Sequence, residues 1–119
     1  MELVAGVREE IAKTVEKLKK VQLSERLMID CSHGNCQKVF DKQQDVFRSV
    51  LEQMERGNDR IFGMMLESHL ESGSQPLTED LSQLKYAVSI TDPCLDWKTT
   101  EELIYSADLA LSSAPAFVS

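Results

Sequence analysis

Three residues of the types that bind metals or move protons follow short apolar runs in this sequence. His33 lies three positions past the first run, while Glu67 and Asp92 directly follow the second and third. The runs are residues 27–30, 61–66 and 86–91. In parallel α/β folds the carboxyl ends of the strands face the ligand site. His33, Glu67 and Asp92 are therefore the candidate site residues.

One histidine and two carboxylates make a mixed nitrogen and oxygen ligand set for a divalent metal. Manganese, iron, cobalt and zinc suit such ligands, and geometry rather than intrinsic affinity chooses among them. Spacing alone leaves a second interpretation open, because single His, Glu and Asp residues of a small acidic protein are commonly solvated or hydrogen-bonded. His69, just past the second run, has the simpler interpretation of a residue that orders the following loop.

The three cysteines fit neither a disulfide framework nor a zinc-ribbon spacing. Their odd number favours a reducing, cytosolic compartment. Cys31 lies inside an apolar run and is interpreted as a small core residue. Cys36 and Cys94 lie near the candidate site in sequence, and thiolate ligation by either stays open.

Length and charge narrow the classes of function. A chain of 119 residues with 42% hydrophobic content suits one domain with a core. The net charge of −7 argues against a nucleic-acid or anionic-membrane partner. No apolar run approaches the roughly 20 residues that a bilayer span needs, and the first residues do not read as a signal peptide.

Apolar residues recur at helical spacing in three places. The sets are Leu3, Val4, Val7, Ile11, Val15 and Leu18; Val39, Phe40, Val46, Phe47, Val50, Leu51 and Met54; and Leu103, Ile104, Ala107 and Leu111. Asn35 is suited to cap the second helix at its start, and Gly57 to end it in a left-handed conformation. Residues 99–102 form a capping-box pattern that opens the third helix.

The order of helix, strand, helix and strand predicts parallel pairing of the two strands. The first strand is apolar on both faces, which is typical of a strand covered on both sides. Residues 70–85 lose all periodicity, and a loop of this length is either mobile or functional. The ordered part is expected to be residues 1–111, with 112–119 as a flexible tail.

Three stretches resemble successive motifs of a known family: residues 28–35 (MIDCSHGN), 63–70 (GMMLESHL) and 89–97 (SITDPCLDW). The family is the class I, microbial and fungal type of 3-deoxy-D-arabino-heptulosonate 7-phosphate (DAHP) synthase. Order and spacing both agree, and the similarity runs from about Val7 to Leu111. There are small departures from the family pattern. Ala87 stands where the family usually has Gly, Cys36 where it has Ser, and Ser74 where it has Asn.

The resemblance implies an α/β fold that is the C-terminal portion of a (β/α)8 TIM barrel. The elements would be helix 6, strand 7, helix 7, strand 8, a long loop and helix 8, so that residues 1–119 form a partial barrel domain that does not close by itself. Unpaired apolar strand edges are expected to be exposed.

The resemblance also implies the chemistry. The family condenses phosphoenolpyruvate with erythrose 4-phosphate in the shikimate pathway and needs a divalent metal. Its ligands are a cysteine, a histidine, a glutamate and an aspartate, of which the last three match His33, Glu67 and Asp92. Asp92 and His33 are also the implied catalytic residues, and Asp92 is expected to contact the aldehyde.

Other parts of the family site have no counterpart here. The metal-binding cysteine and the arginines and lysines that hold the two phosphates belong to earlier strands. We therefore expect the chain to be a fragment or a truncated gene product, inactive alone and cytoplasmic. The alternative is a non-catalytic relic that pairs with a full-length synthase or with itself.

Overall fold

The structure is a computed structural model that describes residues 2–32 and 41–112, with side chains from residue 6 onward. Its helices and strands follow the predicted order. They are α1 (Glu2–Lys20), β1 (Leu27–Asp30), α2 (Lys42–Glu55), β2 (Ile61–Met65) and α3 (Trp97–Ser112). A single 3₁₀ turn, Leu81–Gln83, interrupts the long connection between β2 and α3.

The two strands pair in parallel, as predicted. Leu27 lies opposite Ile61, whereas Met28 lies opposite Gly63, so β2 has one extra residue at this point. This bulge keeps the helix-facing residues of both strands in phase, because Ile29 then pairs with Met64.

The core lies between the helices and one face of the sheet. α2 packs against both α1 and α3, and it supplies the largest share of the buried apolar side chains. Buried core residues are Val7, Ile11, Ile29, Cys31, Val46, Phe47, Val50, Leu51, Ile61, Leu95 and Leu103. The helical periodicity therefore predicted the buried stripe of α2 correctly. The interpretation of Cys31 as a core residue is also confirmed, since it is fully buried.

The opposite face of the sheet is open to solvent in this chain. Met28 is 57% exposed and Phe62 is 52% exposed, and the Arg26 guanidinium lies 5.3 Å from the centre of the Phe62 ring. The prediction of a strand covered on both sides is therefore wrong for this chain alone. The apolar residues on both faces of β1 fit a strand with a layer packed on each face, and the described residues supply a layer on one face.

Two helices end in the same hydrogen-bonded motif with a left-handed residue. After α2 the Gly57 amide donates to the Met54 carbonyl at 3.0 Å, and Gly57 has φ of +97°, as predicted from the sequence. After α1 the same position is taken by Gln22, with φ of +59°. Gln22 has a Cβ that this conformation disfavours, so the motif forms there without the usual glycine.

Two predicted elements differ from the structure. The third apolar run, 86–91, is not a strand, because Ala87 adopts a left-handed φ of +62° and Tyr86 and Ile90 are exposed. α3 begins before the predicted capping box, since Asp96 caps it by accepting a hydrogen bond from the Thr99 amide at 2.8 Å.

Other sequence predictions for the helices have mixed outcomes. Ile104 is 51% exposed rather than buried, because the face of α3 that carries it has no covering element in the described chain. The predicted cap Asn35, and Val39 and Phe40 of the predicted second helix, lie outside the described residues. The side chains of Leu3 and Val4 and the tail from residue 113 lie outside them as well.

The Asp96 cap predicts a specific dependence of stability on pH. Hydrogen bonds from the Thr99 hydroxyl and amide, with the nearby Lys98 charge, lower the pKa of Asp96 below the ordinary value of 3.8. A carboxyl with a depressed pKa stabilises the fold above its unfolded-state value, and the contribution is lost as the pH falls through the folded-state pKa. Asp96→Ala should cost about 1 kcal/mol near neutral pH.

Urea unfolding of the wild type and Asp96→Ala between pH 7 and pH 2 checks this. The gap between the unfolding free energies of the two proteins should be constant near neutral pH and should close below about pH 4. Asp108→Ala, an exposed change within α3, is the matched control and should show no such gap. A gap for Asp96→Ala that persists unchanged at pH 2 would contradict the carboxylate cap.

Candidate functional site

The structure places two of the three candidate residues. Glu67 is half-buried and lies two positions beyond β2, and Asp92 is exposed in the connection that leads to α3. His33 lies outside the described residues. The backbone that leads toward it is defined as far as Ser32, whose amide and hydroxyl donate to one carboxylate oxygen of Asp30 at 2.8 and 2.6 Å.

The peptide groups of Glu67 are held from two directions. On one side the Gln43 side chain accepts from the Glu67 amide at 2.9 Å and donates to the Glu67 carbonyl at 3.3 Å. On the other side the Leu95 amide donates to the same carbonyl at 3.0 Å. Residues from α2 and from the segment before α3 therefore fix the backbone of Glu67.

The residues after Glu67 continue this attachment to α3. The His69 amide donates to the Leu95 carbonyl at 2.9 Å, and the Ser68 and Thr100 hydroxyls lie 2.6 Å apart. The exposed His69 ring accepts a hydrogen bond from the Leu70 amide at 2.9 Å. That local contact is in keeping with the interpretation of His69 as a residue that orders the loop.

The long connection 70–92 folds back on itself rather than extending into solvent. Gly73 exchanges two backbone hydrogen bonds with Cys94, and the Gln75 amide donates to the Ser89 carbonyl at 2.8 Å. The Gln75 side chain accepts from the Lys85 amide and donates to the Lys85 and Val88 carbonyls. Between the two alternatives left by the sequence, this dense bonding favours a loop that positions residues.

Cys94 lies two residues beyond Asp92, between that residue and Leu95. Its thiol is buried and lies within 3.4 Å of the Asp92 carbonyl, to which it can donate. Burial raises the pKa of this thiol, and the charges of Glu67 and Asp92 raise it further, against a hydrogen bond with Ser89. In the absence of a metal the raised pKa favours the neutral thiol. Ligation of a metal by Cys94 stays a prediction.

The carboxylate oxygens of Glu67 and Asp92 are ligands of the kind that a hard divalent cation prefers. Within residues 2–32 and 41–112, no three His, Cys, Asp or Glu side chains come together as a metal site. The third predicted ligand, His33, is outside that range.

Within the same described residues, 2–32 and 41–112, no helix has the length and apolar character to cross a bilayer.

The sequence matches the DAHP synthetase I family over residues 7–104, which is most of its length. The chain belongs to this family. The resemblance of its three motifs is thereby confirmed, and the family match includes His33, Glu67 and Asp92.

Among individual relatives of this DAHP synthetase I chain is the Tyr-sensitive phospho-2-dehydro-3-deoxyheptonate aldolase of Enterobacter agglomerans. It is 43% identical over 96 residues, which cover 81% of this chain and 45% of that protein. The tyrosine-inhibited aldolase of Candida albicans is 40% identical over 116 residues, or 95% of this chain and 30% of that protein. The chain thus spans less than half the length of these relatives.

A solved structure agrees with the family assignment. The phospho-2-dehydro-3-deoxyheptonate aldolase of Francisella tularensis superposes with a TM-score of 0.81 at 37% identity, over 91% of this chain and 31% of that one. The two parallel strands and three helices described above are therefore arranged as in part of that structure.

One residue of the site region was missed by the sequence analysis. Gln43 is completely buried, although glutamine is usually exposed. The available signal was its position, three and four residues before Val46 and Phe47, which places an amide on the apolar stripe of α2.

The backbone of the loop gives a testable pair of substitutions. Ala87 has φ of +62°, and Gly73 in the same loop has φ of +84° with no atom within 4 Å of an added Cβ. Ala87→Gly should stabilise the chain by about 1 kcal/mol because it removes the left-handed strain. Gly73→Ala should destabilise it by a similar amount through the backbone alone.

Urea unfolding of both variants checks the pair. Opposite signs are expected, whereas a loss of stability in Ala87→Gly would contradict the left-handed conformation at that residue.

Proposed function

We propose that this chain forms the C-terminal part of a DAHP synthase barrel, in which His33, Glu67 and Asp92 hold a divalent metal. The observation that supports the proposal is the backbone hydrogen bonding of Glu67 and His69 to Leu95, three residues after Asp92, within a segment that matches the family over residues 7–104. The metal would be manganese, iron, cobalt or zinc, which mixed nitrogen and oxygen ligands accept.

The proposed reaction is the condensation of phosphoenolpyruvate with erythrose 4-phosphate. A bound divalent cation supplies Lewis-acid polarisation of the aldehyde. Glu67 and Asp92 contribute negative oxygen ligands, and His33 contributes a neutral imidazole nitrogen. We assign Asp92 a second role at the aldehyde substrate, since it is exposed at the end of the loop.

The two substrate phosphates need cationic groups that these strand ends lack. Residues 27–35, 63–70 and 89–92 contain no Lys or Arg. Carboxylates alone would repel two phosphorylated anions, so the cationic groups belong to the rest of a barrel. The relatives named above are more than twice as long as the matched segment, which leaves room for those groups.

A grafted barrel tests the proposal. In this graft, the matching third of the Francisella tularensis aldolase is replaced by the present chain. The graft should release phosphate from the two substrates in the presence of Mn²⁺, whereas the 119-residue chain alone should not. Glu67→Gln keeps size and polarity but removes one negative charge from the ligand set, so it should weaken Mn²⁺ binding at least 10-fold, with partial rescue of activity at high Mn²⁺.

His69→Gln is the matched control, because it lies two residues further on and its ring accepts a hydrogen bond from the adjacent Leu70 amide. It should leave Mn²⁺ affinity within about 2-fold of the parent graft. The ligand assignment would be wrong if His69→Gln abolished Mn²⁺ binding while Glu67→Gln left it intact.

A second candidate function is that of a non-catalytic partner of a full-length synthase. It is favoured by the exposed apolar side chains Met28 and Phe62 on the open face of the sheet. In this case the chain should bind the Francisella tularensis aldolase in sedimentation experiments, and Phe62→Lys should weaken that complex. Tyr86→Lys, an exposed change in the loop, is the control. An absence of any complex at micromolar concentrations would contradict this candidate.

A further inference from the structure

Gln43 makes contacts that its place in α2 does not require. Its side-chain amide hydrogen-bonds both the amide and the carbonyl of Glu67, twenty-four residues away in sequence. Only its oxygen can accept from the Glu67 amide, and only its nitrogen can donate to the carbonyl. The contact pattern therefore fixes the orientation of the Gln43 amide.

Burial makes this pair of hydrogen bonds a strong constraint. Gln43 has no exposed surface, and loss of its side chain would leave the half-buried Glu67 amide without this acceptor. An unsatisfied buried polar group is costly, and the backbone would have to move to recover a partner. The Glu67 carbonyl would still accept from the Leu95 amide, which ties it to the segment before α3.

We propose that Gln43 is a positioning residue for the metal site, acting through the backbone of Glu67. This inference rests on the proposed function, in which the Glu67 carboxylate is a metal ligand. With the amide and the carbonyl of Glu67 both held, its side chain starts from a fixed Cα, and the direction of its carboxylate is restricted before a metal binds. Groups that orient metal ligands in this way commonly change metal affinity by 10- to 100-fold when they are lost.

The same helix offers a matched comparison. Gln53 is also a buried glutamine of α2, but its side chain donates to the Ser49 carbonyl of the same helix, at 3.5 Å. Removal of either amide leaves a similar apolar stem in the core. Only the change at Gln43 releases the backbone of Glu67.

Mn²⁺ binding to the graft, followed by the electron paramagnetic resonance signal of free Mn²⁺, tests the role of Gln43. Gln43→Met and the less disruptive Gln43→Asn should raise the dissociation constant roughly 10- to 100-fold. The turnover number at saturating Mn²⁺ should return to near that of the parent graft. Gln53→Met should lower thermal stability less than Gln43→Met and leave Mn²⁺ affinity unchanged, because it leaves no backbone group of Glu67 without its partner.

The outcomes separate this inference from the proposed function. If Glu67→Gln weakens Mn²⁺ binding but both Gln43 variants bind as tightly as Gln53→Met, the positioning role is wrong. If Glu67→Gln leaves Mn²⁺ affinity unchanged, the ligand assignment fails and the inference fails with it. Loss of affinity in both Gln43 variants, with an unaffected Gln53→Met, supports the positioning role.

Discussion

The hydrogen bonding at Glu67, two residues past the end of β2, is the constraint on which the rest of this structure depends. The Glu67 carbonyl accepts from the Leu95 amide and from Gln43, so one peptide joins α2 to the segment before α3. This junction closes the connection between β2 and α3, because it holds the start of that connection against its end at Leu95. The same junction holds the backbone of Glu67 against Leu95, in the segment that also contains Asp92 and Cys94. The hydrogen bonds that hold these segments together at Glu67 are thus the ones that position a proposed metal ligand.

The sheet illustrates how a family pattern differs from the structure of a single segment. Its helix-facing side is covered by a continuous core, and the bulge between β1 and β2 keeps that side in register. Its other side exposes Met28 and Phe62. In a barrel that side faces the filled interior, where layers of side chains from several strands pack together. In the metal-site proposal the rest of a barrel covers this face, and in the partner proposal a full-length synthase covers it.

Much of the fold followed from local sequence signals with a direct physical cause. Apolar spacing predicted the buried stripe of α2, and Gly57 predicted the left-handed end of that helix. The failures also have physical causes. The run 86–91 was apolar enough for a strand, but the left-handed conformation at Ala87 depends on hydrogen bonds to distant residues such as Glu71. The sequence did not distinguish Asp96 from Thr99 as the N-cap of α3, because both residue types are favoured at that position.

The candidate site was predictable in part. Glu67 and Asp92 were selected because they follow apolar runs, and the structure joins the segments that carry them through the Glu67 carbonyl and the Leu95 amide. The reasoning for Asp92 was incomplete, since a folded loop rather than a strand brings it there. Gln43 could not be selected by residue type, because its importance comes from burial and from a contact across twenty-four residues. A single sequence carries little direct information about long-range contacts of this kind.

The central claim is that Glu67 and Asp92, with His33, surround one divalent ion. Anomalous X-ray diffraction at the manganese absorption edge, from crystals of the graft grown with Mn²⁺, tests it most directly. The account predicts one strong anomalous peak within bonding distance of a Glu67 and an Asp92 carboxylate oxygen and of a His33 ring nitrogen. A peak bound elsewhere, or a fully occupied site that excludes Glu67, would contradict it.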